Sequence, residues 1–402
     1  MSNEALGRSM SGGAYGRPPA QYDPLLIDVA QGTPTGEYLR RYWHPIAGSN
    51  EVTTNPQKVR VLGEDLILFR DKGGRVGLLY ERCMHRGTSL YYGRVEDCGI
   101  RCCYHGWLFD TAGNCLEQPC EPENGRNREV ARQPWYPLEE RYGLVFAYMG
   151  PLDRKPVLPR YDNLEDLASD EFIETETTGF GGYVAPVAEP AVPYHWLQAW
   201  ENVIDPFHVQ VLHTAFSGTQ FKAEFLQMPK VEWTAIDGGV IYNAYRSLPD
   251  GRLLDRCNYA ILPNIAATPK TDLTPGRSQV ITWHVPIDDK TMRVISAARV
   301  RQKGYFTEYT QHNGKLWTEL TEEERQRYPG DFEAQFGQGR INLHSDEHLV
   351  NSDRGIALLR RMMKQQIKIV REGGDPVNVA FAEKDATIKI VSGNFFSASA
   401  AE

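Results

Sequence analysis

Two short loops constrain this chain more than any other stretch: Cys83-Met84-His85 and, with sixteen residues between His85 and Cys102, Cys102-Cys103-Tyr104-His105. Each loop brings one Cys and one His. Two thiolates and two imidazoles suit a two-iron, two-sulfide cluster with one iron held by Cys and the other by His. A structural zinc tetrahedron can use the same four donors. The flanking residues weigh towards the cluster: Arg86-Gly87 follows the first His and Gly106-Trp107 the second, among strand-like segments. Glycine there permits the close backbone approach and amide donation that cluster sulfurs require.

A chain of 402 residues is long enough for two domains with well-buried cores. The net charge of −8, with no Lys/Arg-dense stripe, argues against a nucleic-acid partner. No apolar run approaches the roughly 18 residues of a membrane span. The first two dozen residues lack the apolar core of a secretory signal and read as a loose arm, so a cytoplasmic location is expected. In that compartment Cys98, Cys103, Cys115, Cys120 and Cys257 read as reduced thiols.

The segment GEYLRRYWHPIAG starts helical near Gly36 and is expected to stop at His44-Pro45. Short strands follow from Lys58 (KVRVLG, DLILFR, VGLLYERC), with turns at Gly63-Glu64 and Asp71–Gly74. Tyr142–Tyr148 is a buried closing strand, and MGPLDRKPVLPRYD is a linker. The remainder mixes strands and helices. One late helix, near Ile356 to Val370, sets Leu358, Leu359, Met362, Met363, Ile367 and Val370 on one stripe that reads as core packing.

A second constellation lies in HWLQAWENVIDPFHVQVLH, residues 195–213. Asp205 and His208 share a helix face. His208 and His213, five apart, differ by roughly 140° on a regular helix. The two imidazoles converge only if the helix is distorted, and Asp205-Pro206 marks a break. Two His and one carboxylate on one face of an iron, other positions open, is the arrangement for non-haem Fe(II) oxygen chemistry. Satisfied core or surface histidines are the ordinary alternative.

CMHRGTSL and CCYHGWLF resemble the two halves of the Rieske iron–sulfur motif. With the Pro-rich linker and ENVIDPFHVQVLH, they make nearly the whole chain similar to the oxygenase (alpha) component of Rieske non-haem iron oxygenases. GTPTGEYLRRYWHPIA is similar to the N-terminal segment of their phthalate dioxygenase-like branch. The resemblance implies an α+β fold: an N-terminal Rieske [2Fe–2S] antiparallel β domain (45–155) and a larger catalytic domain (156–402) whose antiparallel sheet is covered by helices. Residues 1–44 would form an arm and helix packing with the catalytic part.

The same resemblance makes Cys83, His85, Cys102 and His105 cluster ligands, and His208 and His213 ligands of a mononuclear Fe(II). Asp205 would bridge that iron to a cluster His, His105, of the next subunit in a head-to-tail homotrimer, with Asn202 supporting the junction. The third iron ligand falls on Asp331 when Gly337, Gly339, Ile341, Glu347, Leu349, Ser352 and Asp353 are matched to the family pattern. Glu333 and Asp346 are rivals, and Pro329-Gly330-Asp331 also reads as a solvated turn.

Implied partners are O₂, an FMN- and ferredoxin-type reductase using NAD(P)H, and an aromatic substrate, favoured as an aromatic carboxylate or methoxylated acid. The reaction would be hydroxylation, dihydroxylation or demethylation. A carboxylate calls for a pocket Arg, with Arg246, Arg256 and Arg293 as candidates. Trp283, Phe332 and Phe336 read as pocket wall or core. A Rieske electron-transfer protein without catalytic iron and a zinc-bound binding protein are the competing classes.

Overall fold

The computed structural model describes residues 18–126, 128–178, 191–217, 221–306, 312–315 and 319–398; the arm expected over the first residues lies largely outside them. Seven α-helices are formed among the described residues: α1 (Pro24–Ile27), α2 (Pro34–Leu39), α3 (Trp196–Asn202), α4 (His208–Val211), α5 (Glu322–Arg327), α6 (Asp331–Gly337) and α7 (Arg354–Arg371).

The expected strands form two four-stranded antiparallel sheets in the first third of the chain. Gln57–Val61, Glu64–Arg70, Val76–Tyr80 and Trp135–Tyr136 make one; Arg94–Glu96, Gly99–Arg101, Leu108–Phe109 and Cys115–Glu117 make the other. The first hairpin turns on Leu62-Gly63, both at positive φ (49° and 81°), which matches the twist of the flanking strands. Between these sheets lies a small core of Ile67, Phe69, Leu79, Leu90, Ile100 and Phe109, which also takes in Cys83 and Cys102. The two ligand loops are thus rooted in packed side chains.

The helix expected to end at His44-Pro45 ends earlier, at Leu39. It begins at Pro34 behind a Thr33 cap, whose hydroxyl accepts the Gly36 N–H at 3.1 Å. Trp43–Gly48 is instead a buried strand against Leu144–Tyr148, with Leu138–Arg141 beyond. Pro45 is tolerated because the register is irregular between Pro45 and Ala47.

Downstream, seven strands run in the order Phe172–Glu176, Thr291–Val300, Val280–Asp288, Ile265–Ala267, Arg252–Ile261, Gly239–Ser247, Lys230–Ile236, every pairing antiparallel; Gly393–Ala398 and Gly276–Arg277 join alongside. α7 covers this sheet with Leu359, Met363 and Ile367 buried, so its stripe is core packing. Residues 23–42 pack on this part: Val29 N–H donates to Asp289 at 2.8 Å and the Tyr42 hydroxyl to the Val377 carbonyl at 2.9 Å. No disulfide forms among the described residues. No described helix is long and apolar enough to cross a membrane.

Candidate metal centres

The two Cys/His loops repeat one hydrogen-bond pattern. Cys83 N–H donates to the Thr88 carbonyl (2.9 Å) and Gly87 N–H to the Cys83 carbonyl (2.8 Å). Cys102 N–H donates to Trp107 (2.9 Å) and Gly106 N–H to Cys102 (3.1 Å). Gly87 and Gly106 sit at φ 75° and 74°, a turn that side chains rarely adopt. The turns aim amides inward: His85 and Arg86 N–H groups reach the Cys83 sulfur, and those of Tyr104 and His105 reach the Cys102 sulfur. The hydrogen bond between the two thiols, with the two amides, pulls Cys102 down, while the same bond and burial push Cys83 up. The His85 and His105 rings lie 4.6 Å apart, and His85 stacks on Trp107 at 4.5 Å. Two amide-served sulfurs beside two imidazoles, at a tip flanked by exposed Met84 and Tyr104, fit a two-iron cluster with mixed ligation.

The second constellation is built by a broken helix. After α3 the amides of Val203, Ile204 and Asp205 tighten to i−3 carbonyls, and the Asp205 carboxylate accepts the Phe207 N–H at 2.9 Å across Pro206. α4 restarts at His208 and passes into a π-helical turn, Leu212–Phe216, closed by Ser217 N–H on the Leu212 carbonyl at 2.8 Å. Widening the turn brings residues five apart onto one face. The His208 and His213 rings then lie 5.3 Å apart.

Asp331, the first residue of α6, completes the group. His213 Nε2 is 3.3 Å and His208 Nε2 3.8 Å from its two oxygens, and one donor atom from each residue falls within 4.8 Å of the others. Burial would raise the Asp331 carboxyl; His213, then His208 and the Asn202 amide (3.2 Å), outweigh it and hold the group well below the usual carboxylate range. Burial likewise opposes charge on His208, but Asp205 and Asp331 raise it. Asp205 Oδ2 stands 3.6 Å from His208 Nδ1. Two imidazoles and one carboxylate at a cavity wall fit a facial metal triad.

Of the rival carboxylates, Glu333 caps its own helix, accepting the Gly330 N–H at 2.8 Å, and Asp346 is exposed in the short helix His344–Asp346. The Asn202 amide, expected to support the Asp205 junction between subunits, donates within the chain to Asp331. The triad opens on a cavity of about 400 Å³ walled by Val192, Phe221, Phe225, Met292 and Phe332, with Asn258, Thr282 and His284 on its sheet floor. Thr282 and His284 alternate on one strand, the only hint of that floor in the sequence.

Of the expected pocket residues, Phe332 lines the cavity, Phe336 is exposed, and Trp283 is core between Phe146 and Tyr161. Arg293 donates to the Ile46 carbonyl away from the cavity, and Arg246 lies buried behind Phe225. Arg256 reaches the cavity wall.

The Rieske [2Fe-2S] domain family matches residues 42–137. Over 389 residues the chain is 64% identical to the phenoxybenzoate dioxygenase subunit alpha of Ectopseudomonas oleovorans, covering 97% of this chain and 95% of that one. The tert-butanol monooxygenase / tert-amyl alcohol desaturase oxygenase subunit of Aquincola tertiaricarbonis is 36% identical, over 90% of this chain and 79% of its own. Among solved structures, NdmB of Pseudomonas putida CBB5 superposes with a TM-score of 0.61 over 87% of this chain and 95% of that chain, at 20% identity, a likeness of fold alone. The chain belongs to the Rieske non-haem iron oxygenases as an oxygenase (alpha) component of their phthalate dioxygenase-like branch.

Proposed function

We propose that this oxygenase component oxidises an aromatic carboxylate, with phenoxybenzoate as the first substrate to try, using O₂ and electrons from an FMN- and ferredoxin-type reductase fed by NAD(P)H. The observation that carries the reading is the convergence of His208, His213 and Asp331 on one wall of an apolar cavity of about 400 Å³. The 64% identity to a phenoxybenzoate dioxygenase subunit supports the substrate class. Cys83, His85, Cys102 and His105 would hold the [2Fe–2S] cluster, which supplies single electrons at a potential of roughly −150 to +300 mV. His208, His213 and Asp331 would hold Fe(II), which supplies O₂ activation beside the substrate.

The chain's own residues prepare that site. Asp205 stands 3.6 Å from His208 Nδ1, where its charge favours a proton on that nitrogen and leaves Nε2 for the side of Asp331. Asn202 immobilises one Asp331 oxygen. Phe221, Phe225, Phe332 and Met292 keep water from the reacting ring. The reading divides the chain into a cluster unit over 45–155 and a catalytic unit over 156–402, with 1–44 packed on the latter, in a cytoplasmic enzyme with reduced thiols.

A head-to-tail homotrimer is part of the proposal. Apolar side chains stand exposed at each centre: Met84, Tyr91 and Tyr104 near the cluster loops, Val211, Phe216 and Phe336 near the triad. Two unlike patches on one chain suit a heterologous interface closing into a ring. His105 of one copy would then meet half-buried Asp205 of the next.

The test is a panel of phenoxybenzoates, methoxylated benzoic acids and tert-butanol, assayed with a surrogate reductase for oxygenated product and formaldehyde. Oxidation of the aromatic acids in preference to the alcohol is expected; the reverse order defeats the reading. In the same assay Asp205→Asn should keep its iron and cluster spectrum yet lose product about 10–100-fold. Full activity in that variant removes Asp205 from the electron route.

A further inference from the structure

One wall of the cavity leads away from the triad through aromatic rings to a cationic end. The Phe221 ring lies 4.4 Å from that of His213, and Phe225 lies 5.5 Å beyond Phe221. Two guanidinium groups flank Phe225, Arg246 at 5.2 Å and Arg256 at 5.4 Å from its centroid. Arg256 fastens the loop that follows strand Ile265–Ala267, donating to the carbonyls of Pro269 (2.6 Å) and Lys270 (3.0 Å) and to the Asn394 side chain (2.8 Å).

Lys270 lines the same cavity, half-buried, with its ammonium 4.2 Å from the Tyr305 ring centroid. Among the described residues no carboxylate pairs with its Nζ. Asp272, two residues on, also lines the cavity; one oxygen accepts from the Thr274 N–H and hydroxyl, and the nearby Lys270 charge helps to hold its carboxyl low. The cavity therefore has a triad at one pole and, at the other, an ammonium and two guanidinium groups set against the single carboxylate of Asp272, a balance that stays positive. An anion at that pole is attracted through a medium less polarisable than water.

The geometry points to Lys270 as the residue that anchors the carboxylate of the aromatic-acid substrate, with Arg256 as the positioning residue that shapes the loop presenting it. This rests on the aromatic-acid reading proposed above. It replaces the expectation that an arginine makes the contact. Arg293 lies off the cavity, Arg246 lies behind Phe225, and Arg256 spends its donors on the loop.

The experiment compares the holoenzyme with its Lys270→Met and Lys270→Arg variants on 3-phenoxybenzoate and its neutral primary amide. Affinity is measured by anaerobic calorimetry, and KM and kcat by product formation. The ratio of acid to amide efficiency is independent of the fraction of active protein. Lys270→Met should lower that ratio about tenfold or more, chiefly through KM and the measured affinity, and Lys270→Arg should recover part of it. If the wild type prefers the acid and Lys270→Met prefers it equally, the anchor is wrong and the aromatic-acid reading stands. If the wild type takes the amide as readily as the acid, the aromatic-acid reading fails and the anchor with it.

Discussion

Asp331 shows what a single side chain gains from its surroundings. Its carboxylate is half-buried, where charge loses part of its hydration, yet His213, His208 and Asn202 keep it ionised. Glu333, two residues on, is a carboxylate of the same helix turn, but its charge is spent on the Gly330 N–H. Asp331→Asn should therefore cost iron, lowering occupancy about tenfold or more, whereas Glu333→Gln should cost only part of a helix cap, about 0.5–1 kcal/mol, and leave iron in place. Iron analysis and thermal melting distinguish the two; iron lost from Glu333→Gln but kept in Asp331→Asn reverses the assignment. The triad's residue types were legible in the sequence. The Asn202 contact was not, because nothing in a linear pattern says which atoms 129 residues apart will meet.

At the scale of elements, the sequence showed a conflict and the structure shows its resolution. His208 and His213 are misaligned on a regular helix, and Asp205-Pro206 supplies the break. The wider turn at Leu212–Phe216 supplies the realignment, which no residue type announces because π geometry has no sequence signature comparable to a cap. The turn displaces backbone partners, and the Thr214 hydroxyl donates to the Gln210 carbonyl. Thr214→Val keeps the shape and removes that donor, so it should destabilise the protein by about 1–3 kcal/mol and weaken iron binding; Thr214→Ser should restore both. Melting and iron titration of the pair check this, and a Val variant indistinguishable from wild type shows that the turn holds without the hydroxyl. Trp43–Gly48 is the opposite case. A helix-like start and a Pro hid a strand whose partner lies about a hundred residues away, and only long-range pairing with Leu144–Tyr148 reveals it.

For the whole molecule, the fold class was legible because turn residues and alternation mark the strands, while the continuity of the core was not. One core runs from Leu26 through Phe146 and Trp283 to Ile390, joining regions that read as separate. Buried imidazoles stitch this core. His44 Nε2 meets the Leu39 carbonyl at 2.8 Å, and His195 meets the Ile27 carbonyl at 3.1 Å while capping α3; His284 lies beside Asn264 under the cavity. Burial lowers His44 to about 4, His195 to about 3 and His284 to about 4. A base depressed on folding binds its proton more readily in the unfolded chain, where its value is near 6.5, so its penalty is absent above that pH and grows as pH falls towards the folded values. Each imidazole then removes up to about 1.4 kcal/mol per pH unit, or about 2 kcal/mol between pH 6.5 and 5. Carboxylates held low, such as Asp331 and Glu96, lose their contribution only at lower pH. Urea midpoints should accordingly fall from pH 7 to 5, the raised His208 opposing only part of the effect, and His195→Gln should flatten that slope. A midpoint unchanged across this range would mean that the three imidazoles titrate alike in the folded and unfolded chains.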